Sequence, residues 1–240
     1  MKSLFKAIRQ NDLDKVIKIL DKKPEAVNCM ATAPPKKDDG QSPLQVSIKT
    51  GNLEIAQYLI KKGADVNYME PDDGLPVTRS YRCPVLFDAI RGMFSRWENC
   101  REKYLQLISQ ILELGADPNK QDNRGCNSWD IVLSTYSEKI EDVKDNTNKD
   151  LFVMMTKKLL DILIQFNIDI LNIERIKKDL KQFETHSLLL ENLILNRDDL
   201  YGVKPDMVES WNKNIMPIIE LVKPYYENNS PYYEDETTKK

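Results

Sequence analysis

One short apolar pattern recurs along the chain at nearly constant spacing, and nothing else in the sequence narrows the fold as much. Leu4, Ala7 and Ile8 return as Leu44, Ser47 and Ile48, then as Leu86, Ala89 and Ile90, and more weakly as Trp129, Val132 and Leu133. The intervals between the first members are 40, 42 and 43 residues. A second mark follows each of these. Gly63-Ala64-Asp65-Val66-Asn67 and Gly115-Ala116-Asp117-Pro118-Asn119 are nearly identical, with degenerate versions at 24–28 and 167–170. Between the two marks lies a second apolar segment at helical spacing, such as Ile55, Ala56, Leu59 and Ile60, or Leu107, Ile108, Ile111 and Leu112. Each unit therefore reads as two short amphipathic helices followed by a turn.

Repeats of this length cannot bury an apolar face alone, but stacked copies can, so the pattern predicts an all-α solenoid. Small residues in the first helix (Ala7, Ser47, Ala89) permit close approach of neighbouring units. Gly63 and Gly115 stand where a helix ends in a left-handed residue, which glycine adopts without a Cβ clash. The segments Asp39-Gly40-Gln41-Ser42-Pro43-Leu44, Gly51-Asn52-Leu53-Glu54-Ile55-Ala56 and Gly63-Ala64-Asp65-Val66-Asn67 together resemble the ankyrin repeat. The spacing from Gly115 to Gly125 repeats the turn-to-hairpin interval of that family. The resemblance covers about residues 1–172 in four units, 1–38, 39–74, 75–122 and 123–172, and is strongest over 39–67.

Two departures stand out. From first-helix mark to turn the interval is 19 residues in each of the first two units, but 29 and 38 in the third and fourth. The later units thus carry extra residues between or within their helices. Further insertions fall in the hairpin regions at 29–38 and 75–82. After Asn172 the repeat fades. Residues 173–195 show the spacing of an amphipathic helix, and a second helix is expected from Pro205 to about 223. The two read as a cap on the end of the stack. The last stretch, 224–240, is acidic and carries four tyrosines, a composition that reads as a flexible tail.

Chemistry has little material to work with. The chain has 240 residues, one His and four Cys; no C-x-x-C pair exists and no His stands at ligand spacing, so neither a zinc site nor a disulfide framework is expected. His186 lies outside any recognisable catalytic motif, and the eight glycines form no phosphate loop. The expectation is a non-catalytic chain without cofactor or metal. A net charge of −3 argues against nucleic acid as the main partner, and no apolar run reaches the length of a membrane span. The start of the chain is broken by charge before a signal-length apolar stretch could form, so a cytoplasmic location is expected.

What remains is binding to another protein, by occupancy, with oligomeric state left open. The lysine- and asparagine-rich composition suggests a bacterial or viral source and a toxin-neutralising, defence-antagonising or host-directed role. The alternative is an enzyme or enzyme subunit with the C-terminal helices as appendage. The ankyrin resemblance implies a recognition surface of hairpin tips and first helices, here Gln10, Lys49, Thr50, Tyr68, Met69, Glu70, Arg91, Lys120, Gln121 and Arg124. Residue type adds a second group. Arginine clusters at Arg79, Arg82, Arg91, Arg96 and Arg101 in a chain otherwise dominated by lysine, with Tyr81 and Trp97 among them. Such residues are enriched at contact surfaces, and a guanidinium binds carboxylates in a fork, so an acidic partner is expected with Arg96 and Trp97 as anchors. Inward packing of Phe94 and Trp97 is the competing expectation.

Overall fold

The computed structural model describes residues 2–168 apart from 33–34, 36–37, 73, 75–79, 96–99, 141–142 and 144–145. The helices expected at 173–195 and from Pro205, and the tail at 224–240, lie outside the described residues. All regular structure among the described residues is helical. In chain order it comprises α1 (Lys2–Arg9), α2 (Leu13–Lys22), a 3₁₀ turn (Pro24–Asn28), α3 (Pro43–Lys49), α4 (Leu53–Lys61), α5 (Val85–Phe94), α6 (Arg101–Glu113), α7 (Ser128–Ile140) and α8 (Asn146–Gln165). Two compact units divide the chain; one holds Met1–Thr135 with Lys158–Ile168, and Tyr136–Lys157 belongs to the other.

Within the first unit the helices stack in sequence order. First helices meet first helices, α1 on α3 and α3 on α5, and second helices follow suit, α2 on α4 and α4 on α6. The recurring pattern supplies the seam. Leu4, Ala7, Ile8, Leu44, Ser47, Ile48, Leu86, Ala89, Ile90, Trp129 and Val132 are all essentially without exposure. Each buried Leu or Ile contributes about 1.5–3 kcal/mol relative to solvent. Leu133, the weakest member, is only half-buried. α3 begins with a full capping box in which Ser42 and Gln45 exchange side-chain bonds, with Pro43 in the first turn. The added length of unit three lies in α5 and α6 and their connection; that of unit four lies in α7, with 13 residues, and α8, with 20.

The turns confirm the glycine reading. Gly63 and Gly115 have φ of +86° and +90°, and Asn167, at the same register in the fourth unit, reaches +57°. Asparagine visits this region more readily than other side-chain-bearing residues. The first unit departs, because its turn is the 3₁₀ segment at 24–28. A ladder of asparagines joins successive turns. Asn28 Nδ2 donates to the Gly63 carbonyl (3.1 Å) while its Oδ1 accepts from the Asp65 N–H (2.8 Å). Asn67 repeats the pair with Gly115 (2.8 Å) and Asp117 (3.1 Å), and Asn119 Nδ2 donates to the Asn167 carbonyl (3.0 Å).

A second set of bonds closes the ends of the first helices. The Ile8 carbonyl accepts from Asn52 Nδ2, and the equivalent Ile48 carbonyl accepts from the buried Tyr104 hydroxyl (3.0 Å). Tyr104 reaches that point through a notch left by Gly92, where an added Cβ would lie 2.1 Å from its ring. Burial drives the Tyr104 hydroxyl up to about 12.

Two expectations follow from this packing. Helix propensity alone makes Gly92→Ala favourable by about 1 kcal/mol, whereas overpacking costs about 1–3 kcal/mol. The backbone-proximal clash decides, and the variant is expected to unfold at lower urea than the parent. Asn67→Ala removes both ladder bonds at one turn and should cost about 1–2 kcal/mol, seen as a lower urea midpoint at unchanged slope.

Candidate functional site

The segments that precede α3, α5 and α7 form hairpin-like loops lying beside the first helices. In the first, the Ala31 N–H donates to the Gln41 carbonyl (2.8 Å) and the Gly40 N–H to the Ala31 carbonyl (3.0 Å). Side chains bind each loop to the next. Glu70 is central to this. One of its oxygens accepts from Gln41 Nε2 (3.1 Å) and the other from the Cys83 N–H (2.9 Å). Gln45 Nε2 donates to the Cys83 carbonyl (3.0 Å), and Lys49 Nζ to Gln41 Oε1 (3.0 Å). Asn123 links the second loop to the third, accepting from the Arg82 N–H (3.2 Å) and donating to the Ser80 carbonyl (2.7 Å).

On this frame stands an arginine–tyrosine cluster. Tyr81 is 38% exposed, and its hydroxyl donates to Asp122 (2.9 Å). The Arg91 guanidinium lies 4.9 Å from the Tyr81 ring centre and that of Arg124 lies 4.7 Å from it. Arg91 also bonds the Tyr81 hydroxyl, and Arg124 holds Asp122 through Nε (3.0 Å) and Nη2 (2.9 Å). Burial opposes charge on Asp122. Backbone N–H groups of Cys126 and Arg124, the Arg124 guanidinium and the Tyr81 hydroxyl outweigh it and hold the carboxyl below its ordinary value. Burial pushes the Tyr81 hydroxyl up, so the ring stays neutral. Stacking of this kind contributes about 0.5–1 kcal/mol per cation at exposed sites. Its larger effect is to hold both guanidiniums in place.

Many of the expected contact residues are open to solvent at least in part. Gln10, Lys49, Gln121 and Arg124 are exposed; Thr50, Tyr68, Met69, Arg91 and Lys120 are half-buried. Tyr68 donates its hydroxyl to the Gly40 carbonyl, and Lys120 Nζ bonds the Asn67 carbonyl. Three residues were expected at the surface and are not available there. Glu70 (9% exposed) is consumed by its two loop bonds. Arg82 (9%) pairs with Asp72 at 2.7 Å. Arg101 (6%) opens α6, a second helix, and is buried there. Arg79, Arg96 and Trp97 lie outside the described residues, while Phe94 is buried. All four cysteines are free thiols.

Sequence reasoning passed over Asp88. It sits in α5 with 6% exposure, at the register held by Val46 in unit two and Ile131 in unit four, and that exchange of apolar for acidic is the signal that marks it. Cys83 Sγ lies 3.9 Å from Oδ1, and Oδ2 has no hydrogen-bond partner among the described protein atoms. Burial raises its pKa to about 7, with Glu70 adding to the rise and Lys49 and Arg91 opposing it. The folded value exceeds the ordinary one of 3.8. Stability from this group is therefore complete below about pH 4 and is lost as pH rises through about 7. Asp88→Asn should remove that loss. Melting of the parent is expected to fall between about pH 4 and pH 7, and the variant to hold its melting temperature over the same range.

Residues 2–91 match the family model for ankyrin repeats, in three copies. The ankyrin repeat and SAM domain-containing protein 6 of Rattus norvegicus is 23% identical to this chain over 130 residues. That alignment spans 54% of this chain and 12% of the rat protein. An ankyrin repeat segment is a protein–protein interaction module, and among the described residues no helix is long and apolar enough to cross a membrane.

Proposed function

We propose that this ankyrin repeat chain is a non-catalytic binding module that engages an acidic surface of another protein in the cytoplasm and modulates it by occupancy. The observation that carries the reading is the Arg91–Tyr81–Arg124 cluster, an exposed ring with two guanidiniums already placed beside it. Holding such side chains in position before binding reduces the ordering cost of association. Arginine and tyrosine are also types enriched among the residues that dominate interfaces. Lys49, Lys120, Gln121, Gln10, Tyr68 and Met69 are further members of the proposed contact surface. Glu70 and Arg82 act from beneath by holding the loops. Neutralising a toxin, antagonising a defence component and acting on host proteins all fit occupancy by such a face.

The test begins with affinity isolation of the full chain from its own cell and identification of bound protein by mass spectrometry. Arg91→Ala and Tyr81→Ala are then measured for binding and for melting. Each is expected to weaken the partner by about tenfold or more, about 1.4 kcal/mol, with little change in melting. Full affinity in both variants would remove this face from the interface.

A further inference from the structure

The first helix pair, α1 and α2, carries a second surface, unrelated to the loop face. A cleft of about 310 Å³ opens between these helices and the 3₁₀ turn. Its floor includes Leu4, fully buried, and Ile19, half-buried. Four lysines line it: Lys15, Lys18, Lys22 and Lys23. The first three follow one another at i, i+3 and i+7 along α2, which puts them on one face of the helix. All four are exposed, and among the described residues no carboxylate forms an ion pair with any of them. The single acid in the lining is Glu25.

Asp21 turns to the neighbouring unit and pairs with Lys62 of α4 at 3.7 Å, while the lysines gather over the cleft. Like charges at i,i+3 and i,i+4 repel one another, here Lys15 with Lys18 and Lys18 with Lys22, and the acids Asp14 and Asp21 at the same spacings from Lys18 offset part of that. An anionic ligand relieves the repulsion.

We infer that this cleft is a second docking site, which takes an acidic peptide segment of a partner protein with one aromatic or large aliphatic side chain seated against Ile19. Charge complementarity selects the acidic flanks. The recess selects a side chain over a bilayer, because Ile19 is half-buried within a cleft and is not presented as a protruding apolar face. Glu25 suits a peptide as well, since backbone N–H groups can donate to it.

The experiment is selection of a random-peptide display library on the full chain, followed by anisotropy titration of the enriched peptides made synthetically. Enriched sequences should carry several Asp or Glu residues around one aromatic or large aliphatic residue. Their affinity should fall with added NaCl and drop by about tenfold or more in the Lys18→Glu/Lys22→Glu double variant. It should be retained in Arg91→Ala, which separates this cleft from the loop face. Should the charge reversal lower the melting temperature, Lys18→Ala/Lys22→Ala gives the same reading without added acids. Vesicles of phosphatidylserine and phosphatidylcholine should not co-sediment the protein in a lysine-dependent way. Enrichment of neutral peptides, binding that survives both double variants, loss of binding in Arg91→Ala, or lysine-dependent vesicle binding would each overturn the inference.

Discussion

An asparagine side chain that spans from one turn to the next sets how each repeat sits on its neighbour. The amide offers a donor and an acceptor on one rigid plane, so Asn28 and Asn67 each satisfy a glycine carbonyl and an aspartate N–H at once. Aspartate has no N–H to donate, and glutamine is a methylene longer. The left-handed residue presents the carbonyl, which explains why glycine and the ladder occur together. The same pair of bonds closes across 35 and 37 residues between the first two turns and across 48 and 50 between the next two. Length added to the third unit therefore leaves the turn spacing intact, and the loops that carry the recognition residues inherit a fixed relation to one another.

The elements legible from sequence were those set by local rules repeated several times. The Leu4, Leu44, Leu86 and Trp129 seam, the left-handed Gly63 and Gly115, and the degenerate turn at Asn167 each follow from a preference expressed at one residue. Burial of individual charged residues was not legible in that way. Glu70 reads as an exposed hairpin acid until Gln41 and Cys83, 29 and 13 residues away, are seen to use both its oxygens. Arg101 was grouped with its neighbours in sequence, yet the helix it begins belongs to the second layer. Arg91, Tyr81 and Arg124 were all named beforehand from residue type and position. Their mutual stacking was not, because Arg124 comes from the following unit and the contact with Tyr81 spans 43 residues.

Polar side chains beneath the loops do two things at once. Gln45, Glu70 and Asn123 satisfy backbone groups that a loop between helices would leave unpaired, and Gln41 holds Glu70 in place. In doing so they fix the level at which Tyr81 and its arginines stand. Asp88 sits within the same layer and bears its burial without a full set of bonds. The layer is therefore well connected at its edges and weakest at that one carboxyl.

The carbonyls of Ile8 and Ile48 occupy the same place in successive repeats, and a residue of the following unit occupies each of them, Asn52 in one case and Tyr104 in the other. The short amide comes from the residue just before α4. The phenol comes from within α6 and passes through the Gly92 notch to get there. Its ring is thus threaded between two helices of its own unit and anchored in the one before. Loss of α6 from the stack would uncover an accepting group at the end of α3, and disorder in α3 would strand a buried hydroxyl. Units two and three are therefore expected to open together through this buried hydroxyl, while the first unit is tied to its neighbour by the Asn28 ladder, the Asp21–Lys62 pair and the rim amide of Asn52.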